Sequence, residues 1–221
     1  GGYTFDQGVI VASAGGLEEG VWEPFLTQLD DGSLVCFYSD DSDPKHSQTI
    51  VYKQSKDGIN WDKAVTVVAS EIPEERPGMP IVTRLSDGSY FMVYEIFNKA
   101  DIEGEPIFCR FSKDGLDWGE PSYLGEEVAT ANGKKALGAA PYCAWTPVGG
   151  EYGTLIVSGT HTRKGKSKTG SDYFISYDNG KTWETVPHII PYASDDHVGY
   201  SNSFAFSKDG KTMYAINNPQ K

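Results

Sequence analysis

The chain has 221 residues, with 31 acidic against 19 basic side chains and a net charge of −12 at pH 7. A phosphate backbone calls for a basic face, so no nucleic-acid partner is expected, and the acidic balance suits a neutral ligand such as a sugar better than an anionic one. Apolar residues come in short runs, far below the length of a membrane span, so no membrane partner is expected either. No stretch of about twelve residues keeps a helical period; Gly, Asp, Ser and Pro punctuate the runs as they do between strands.

In chain order, Tyr3–Val11 reads as a lone leading strand. Trp22–Leu29, the turn Asp30-Asp31-Gly32 and Ser33–Ser39 read as a hairpin. A third strand then ends in Ser55-Lys56-Asp57-Gly58-Ile59-Asn60-Trp61, and a short fourth strand follows. The order repeats with Met79–Leu85, Ser86-Asp87-Gly88 and Ser89–Glu95, closing on Ser112-Lys113-Asp114-Gly115-Leu116-Asp117-Trp118. It repeats again with Ala140–Pro147 and Gly153–Thr160, closing on Ser176-Tyr177-Asp178-Asn179-Gly180-Lys181-Thr182-Trp183. Tyr200–Phe206 and Lys211–Ile216 open a fourth unit around a degenerate copy, Ser207–Met213.

Each closing motif is a strand–turn–strand with a physical logic. Ser and Asp oxygens accept the N–H groups of the turn. Gly supplies the left-handed position, and Trp buries a large face on the adjoining sheet. The motifs resemble the Asp-box of sialidases and related proteins. Four-stranded units repeated at this spacing predict an all-β fold, a β-propeller of antiparallel blades. The chain holds about three and a half blades, whereas six need roughly 300–400 residues. Residues 1–221 are therefore expected to be one propeller region of a larger domain, with the remaining blades as its partner. A β-sandwich with coincidental turns is the alternative. Cys36, Cys109 and Cys143 are an odd set inside apolar runs and read as buried free thiols. The chain opens on Gly1-Gly2, which reads as an internal cut, so targeting is not legible.

Blade topology sorts residues by rim. The start of the first strand, the end of the second and the start of the third share one rim, while the turns carrying the Ser–Asp motifs share the other. Asp57, Asp114, Asp178 and Asp209 are therefore structural. On the first rim lie Trp22 and Glu23, then Asp40, His46, Arg76, Tyr94 and Glu95, then Tyr142, Trp145, His161 and Tyr200. Glu23 and Glu95 stand in apolar company, where an unpaired charge is costly. Arg76 alone does not account for both. Two carboxylates converging on a cleft are the minimum machinery for glycoside hydrolysis, one held protonated and one ionised. Rim aromatics offer stacking faces for a sugar. Asp40-Asp41-Ser42-Asp43 has ligands that suit calcium, but at no recognisable spacing, and reads as a solvated loop. Neither metal nor cofactor is expected.

Val21-Trp22-Glu23-Pro24-Phe25-Leu26, Tyr38-Ser39-Asp40, Arg76-Pro77-Gly78-Met79-Pro80, Tyr94-Glu95 and Trp145-Thr146-Pro147-Val148-Gly149-Gly150 together resemble the exo-α-1,5-L-arabinanases of glycoside hydrolase family 93. The resemblance implies a six-bladed propeller that releases arabinobiose from the non-reducing end of linear arabinan with retention of configuration. It implies Glu23 as nucleophile and Glu95 as acid/base, an order that the residues alone leave open, with Tyr200 beside the nucleophile. Trp22, Asp40, His46, Arg76, Tyr94, Tyr142, Trp145 and His161 would contact the sugar, in an enzyme that is secreted or held at the cell surface. The family's first two blades have no counterpart here, and the Lys-rich stretch His161–Thr169 does not match. Two other functions compete. A sialidase needs several convergent arginines for the sialic acid carboxylate, and only Arg76, Arg84, Arg110 and Arg163 are present. A non-catalytic carbohydrate-binding propeller would keep the aromatics without needing two rim glutamates.

Overall fold

A computed structural model of the chain describes residues 3–4, 8–16, 19–100, 105–136, 138–159, 162–164, 167–169, 172–187, 189 and 202–217, which form sixteen strands and no helix. The first blade is β1 (Val21–Gln28), β2 (Leu34–Asp40), β3 (Thr49–Ser55) and β4 (Val65–Val68), paired in that order and antiparallel throughout. The second is β5 (Arg76–Arg84), β6 (Tyr90–Phe97), β7 (Ile107–Ser112) and the two-residue β8 (Glu126–Glu127). The third is β9 (Tyr142–Thr146), β10 (Thr154–Ser158), β13 (Tyr173–Ser176) and β14 (Glu184–Val186). A separate hairpin of β11 (Thr162–Lys164) and β12 (Ser167–Thr169) interrupts it within the Lys-rich stretch. β15 (Asn202–Phe206) and β16 (Met213–Asn217) form the hairpin of a fourth. This is a partial β-propeller. No strand forms among the described residues of the expected leading strand Tyr3–Val11. Val11 and Ala12 instead pack on the first blade, where the Lys53 ammonium donates to the Val11 carbonyl at 2.9 Å.

The blades stack face to face because both faces of their inner strands are apolar. Alternation along a strand sends neighbouring residues to different interfaces. Val35 and Phe37 of β2 meet Tyr90, Met92 and Tyr94 of β6 in one core. Phe91 and Val93, on the other face of β6, meet Cys143, Leu155 and Val157 of the third blade in the next. Ile156 and Tyr173 meet Phe204 of the fourth.

The three full Ser–Asp motifs make one kind of turn. Ser55 Oγ accepts the Gly58 N–H at 2.9 Å and Asp57 Oδ1 accepts those of Ile59 and Asn60, both at 2.8 Å. Ser112 and Asp114, and Ser176 and Asp178, do the same work in their units. The degenerate copy Ser207–Met213 is instead the turn between β15 and β16, where Ser207 Oγ accepts the Thr212 N–H, Asp209 Oδ1 accepts that of Lys211, and the Gly210 N–H goes to the Ser207 carbonyl. Trp118 packs edge-on against Phe37 of the blade before it, ring centres 5.8 Å apart, and Trp183 lies 5.9 Å from Phe91 in the same relation one blade on. The Ser–Asp turns neighbour the turns between first and second strands, where Ser86 donates to Asn179; two of the latter turns are themselves joined by Arg84 and Asp30 at 2.6 Å. The carboxylates at the opposite ends of the strands are thereby left to a rim of their own. Cys36, Cys109 and Cys143 are buried free thiols.

Candidate active site

The rim is built on one backbone device used three times. Glu23, Met79 and Ala140 occupy equivalent places at the entry to the first strand of successive blades. Their φ angles are 55°, 55° and 53°, and each is followed by proline. A left-handed conformation costs a residue other than glycine about 1–3 kcal/mol and persists only where its surroundings enforce it. The register slips across the device between Trp22 and Phe25 and between Gly78 and Ile81. Proline is tolerated at such a bulge, where no ladder hydrogen bond is asked of it.

The device turns a backbone N–H toward the blade before it. Met79 N–H donates to Glu23 Oε2 at 3.0 Å and lies 3.2 Å from Ser39 Oγ, while the Ser39 hydroxyl donates to Glu23 Oε2 at 2.9 Å. One blade further, Ala140 N–H donates to Glu95 Oε2 at 2.9 Å. Ser39 and Glu95 are thus the same position of two repeats, each at the end of a second strand and each facing the next blade's left-handed residue. Gly78, which precedes Met79, is the cross-strand partner of Glu95, so the bulge that holds one glutamate adjoins the other. A Cβ on Gly78 would stand 2.4 Å from Gln48 Nε2, 3.2 Å from Ser39 Oγ and 3.3 Å from Glu23 Oε2. Close approach is what requires glycine there.

The two carboxylates live in different surroundings. Glu23 is exposed and held by two donors. Glu95 is largely buried, and burial pushes its carboxyl up to about 7. The Ala140 N–H opposes the rise, and the negative charges of Glu105 and Glu23 add to it. A carboxyl that keeps its proton near neutral pH beside one that is solvated and hydrogen-bonded is an acid paired with a nucleophile or base.

Arg76 anchors the rest of the rim. Its guanidinium reaches Asp41 at 3.1 Å, Gln48 Oε1 at 2.6 Å and the Ser47 carbonyl at 2.9 Å. Gln48 in turn donates to the Pro77 carbonyl at 2.9 Å, and the half-exposed Trp22 donates its indole N–H to Asp41 at 2.9 Å. His46 stands two residues before Gln48, with Nδ1 3.1 Å from Asp43 Oδ1. Glu23, Trp22, His46, Arg76 and Glu95 therefore share the rim.

Four expected sugar contacts go elsewhere. Asp40 alternates with Ser39, so its side chain turns to the face of the first blade away from the second. There it lines a cavity of about 510 Å³ with Val21, Tyr38, Lys53 and Lys63, and it accepts from Ser42 N–H and Oγ. Tyr94 alternates with Glu95 and points into the core between the first two blades, fully buried, its hydroxyl donating to the Leu124 carbonyl. Tyr142 packs edge-on against Phe204, with centroids 5.1 Å apart, between the third and fourth blades. Trp145 lies toward the far end of β9, where its indole donates to the Tyr152 carbonyl at 2.8 Å in the turn on the opposite rim. His161 and Tyr200 lie outside the described residues. Asp41, on the rim with Asp40 by sequence, is held by Arg76 and Trp22, while Ser39, Gln48 and Glu105 belong to the site but were not singled out from sequence. Ser39 had a signal, since aligning the hairpins on Leu29 and Leu85 puts it in the column of Glu95.

No family model and no curated protein matches the chain. Solved structures do. An α-L-arabinanase of Penicillium chrysogenum, complexed with arabinobiose, superposes with a TM-score of 0.75 at 29% identity over 98% of this chain. The chain is similar to glycoside hydrolase family 93 over nearly its whole length. The GH93 α-L-arabinofuranosidase of Fusarium graminearum, also with arabinobiose, gives 0.79 at 28% identity over 98% of this chain. A glutamate-to-alanine mutant of the Fusarium enzyme, bound to an iminosugar inhibitor, gives 0.72 at 27% over 90%. The chain spans 59% of the length of the Penicillium enzyme and 59% of the first Fusarium chain, and 53% of the mutant. The likeness to family 93 thus covers the blades that carry Glu23 and Glu95 and a little over half of such a protein.

Proposed function

We propose that the chain is part of a larger propeller glycoside hydrolase that acts on arabinan or a related neutral plant polysaccharide, cutting from the chain end with retention of configuration. One observation carries the reading: two glutamates on one rim, each fixed by the next blade's backbone, with Glu95 titrating near 7. Glu95 would donate its proton to the leaving glycosidic oxygen as the Glu23 carboxylate attacks the anomeric carbon. The Glu95 carboxylate would then take a proton from the water that releases the sugar. The arabinobiose bound to the two family 93 structures supports the choice of sugar. A polymeric substrate fits a secreted or surface-held enzyme.

The arginines speak against a sialidase. Arg84 pairs with Asp30 on the other rim, and Arg110 is buried against the carbonyls of Val67, Trp118 and Glu120. Neither converges with Arg76. The test is product analysis on linear arabinan with the complete protein, following anomeric configuration by proton NMR. Arabinobiose of retained configuration is expected, and Glu23→Gln and Glu95→Gln should each lower turnover by several orders of magnitude. Near-normal turnover in either variant refutes the assignment.

A further inference from the structure

Glu105 belongs to no repeat motif, yet it sits against the rim. It precedes β7, and its backbone carbonyl accepts the Gly138 N–H at 2.9 Å. Its carboxylate accepts the next N–H, that of Ala139. The N–H after that, of Ala140, goes to Glu95 Oε2 at 2.9 Å. Three consecutive amides leading into β9 are therefore divided between two glutamates, and Glu105 takes two of them. Gly138 at a φ of 110° and Ala140 at 53° give this stretch the left-handed turns by which successive N–H groups come to face an anion.

Resting on the reading of Glu95 as the acid/base, we propose that Glu105 is its positioning residue, clamping the Gly138–Ala140 segment whose third amide orients Glu95 and setting a second negative charge beside it. The clamp fixes where Ala140 N–H points, and so which Glu95 oxygen is tied down and which is left to face the sugar. The charge works with burial, which raises the proton affinity of Glu95 most; Glu105 before β7 and Glu23 on β1 both add to it, while Ala140 N–H ahead of β9 opposes it. A clamp with no electrostatic role would change turnover or stability without moving the pH at which activity fails.

The test uses the complete protein with carboxyl-labelled glutamate. Glu95 is titrated by carbon NMR, and kcat/KM on an aryl arabinoside is measured against pH, for wild type, Glu105→Gln and Glu105→Asp. In Glu105→Gln the Glu95 midpoint and the alkaline limb of the activity profile should both move toward acid, by about half a unit to one unit. Glu105→Asp keeps the charge and should restore most of the difference. An unmoved Glu95 midpoint in Glu105→Gln overturns the proposal. A midpoint that moves while the alkaline limb stays supports Glu105 as the electrostatic partner and removes Glu95 from the role of acid. Should Glu105→Gln not fold, Glu105→Ser, smaller and also neutral, takes its place in the same titration, and an unmoved Glu95 midpoint there overturns the proposal.

Discussion

Replacing Glu95 by glutamine should make the protein more stable and nearly inactive, and the gain should depend on pH. The Glu95 carboxyl titrates near 7 in the folded chain against an ordinary value of 4.5. Below pH 4.5 folded and unfolded chains both hold the proton, and the site costs nothing. Between 4.5 and 7 the unfolded chain gives up its proton first, so folding stability falls as pH rises. Above 7 the loss is complete. A gap of roughly 2.5 pH units is worth about 3 kcal/mol at 1.36 kcal/mol per unit. Glutamine never ionises and escapes this cost, while its carbonyl can still accept the Ala140 N–H. Its amide hydrogens need an acceptor, which offsets about 1 kcal/mol. The expected gain at pH 8 is about 2 kcal/mol, on the order of 4–8 °C in Tm for a domain of this size, and close to zero at pH 4. Urea or thermal unfolding of both proteins at the two pH values reads it directly, with turnover on arabinan assayed alongside. A stability difference that ignores pH, or a glutamine variant less stable than wild type at pH 8, refutes the account of Glu95.

Ser39→Ala should leave Glu23 with the Met79 amide as its remaining donor and lower kcat by about 10- to 100-fold, the value of a hydrogen bond to a charged group, with the melting curve little changed. Gly78→Ala should drive a methyl group into Gln48, Ser39 and Glu23, costing about 1–3 kcal/mol and depressing turnover more than Ser39→Ala does; steady-state kinetics and denaturant titration check both effects. Tyr94→Phe removes the hydroxyl bound to Leu124 inside a core and is expected to lower stability by about 1 kcal/mol while leaving KM for arabinan oligosaccharides untouched, the opposite of what a sugar contact would do. Lys99→Met should strand Glu75, whose side chain is fully buried and held by Lys99, Ser70 and the Ala100 amide; a loss of about 3–5 kcal/mol in urea unfolding is expected.

The fold was legible because its repeat is chemical as well as periodic. A turn that needs Ser, Asp and Gly at fixed offsets, followed by a Trp that must be buried, leaves the same letters at Ser55, Ser112 and Ser176. The rim of Glu23 and Glu95 followed from counting strand directions. What the count could not decide was which face of a strand a residue takes, because here both faces are buried. Tyr94 and Glu95 are equally plausible rim residues until the stacking of blades sends one into the core and the other to the site. The same parity separates Asp40 from Ser39. Trp145 was misplaced for a different reason: β9 begins at Tyr142, so the tryptophan lies most of a strand away from the rim. The β11–β12 hairpin has no apolar alternation to announce it. Glu105 has no local signal at all, since its role depends on amides that lie more than thirty residues further along the chain.

Each proposed catalytic carboxylate takes its bearing from a neighbour rather than from the blade that carries it: Glu23 from Met79, Glu95 from Ala140. The chemistry is therefore stored in the seams. A blade can remain folded, its ladders and Ser–Asp turns intact, and still misaim its glutamate if the adjoining blade slides by a fraction of an ångström. Loss of alignment should precede loss of structure, so such a protein fails as an instrument before it fails as a solid. The same arrangement makes the site open to revision. The seat filled by serine at position 39 is filled by glutamate at position 95, with the same left-handed amide waiting opposite. A change of one side chain in one blade alters what the ring presents to its ligand without touching the scaffold that presents it.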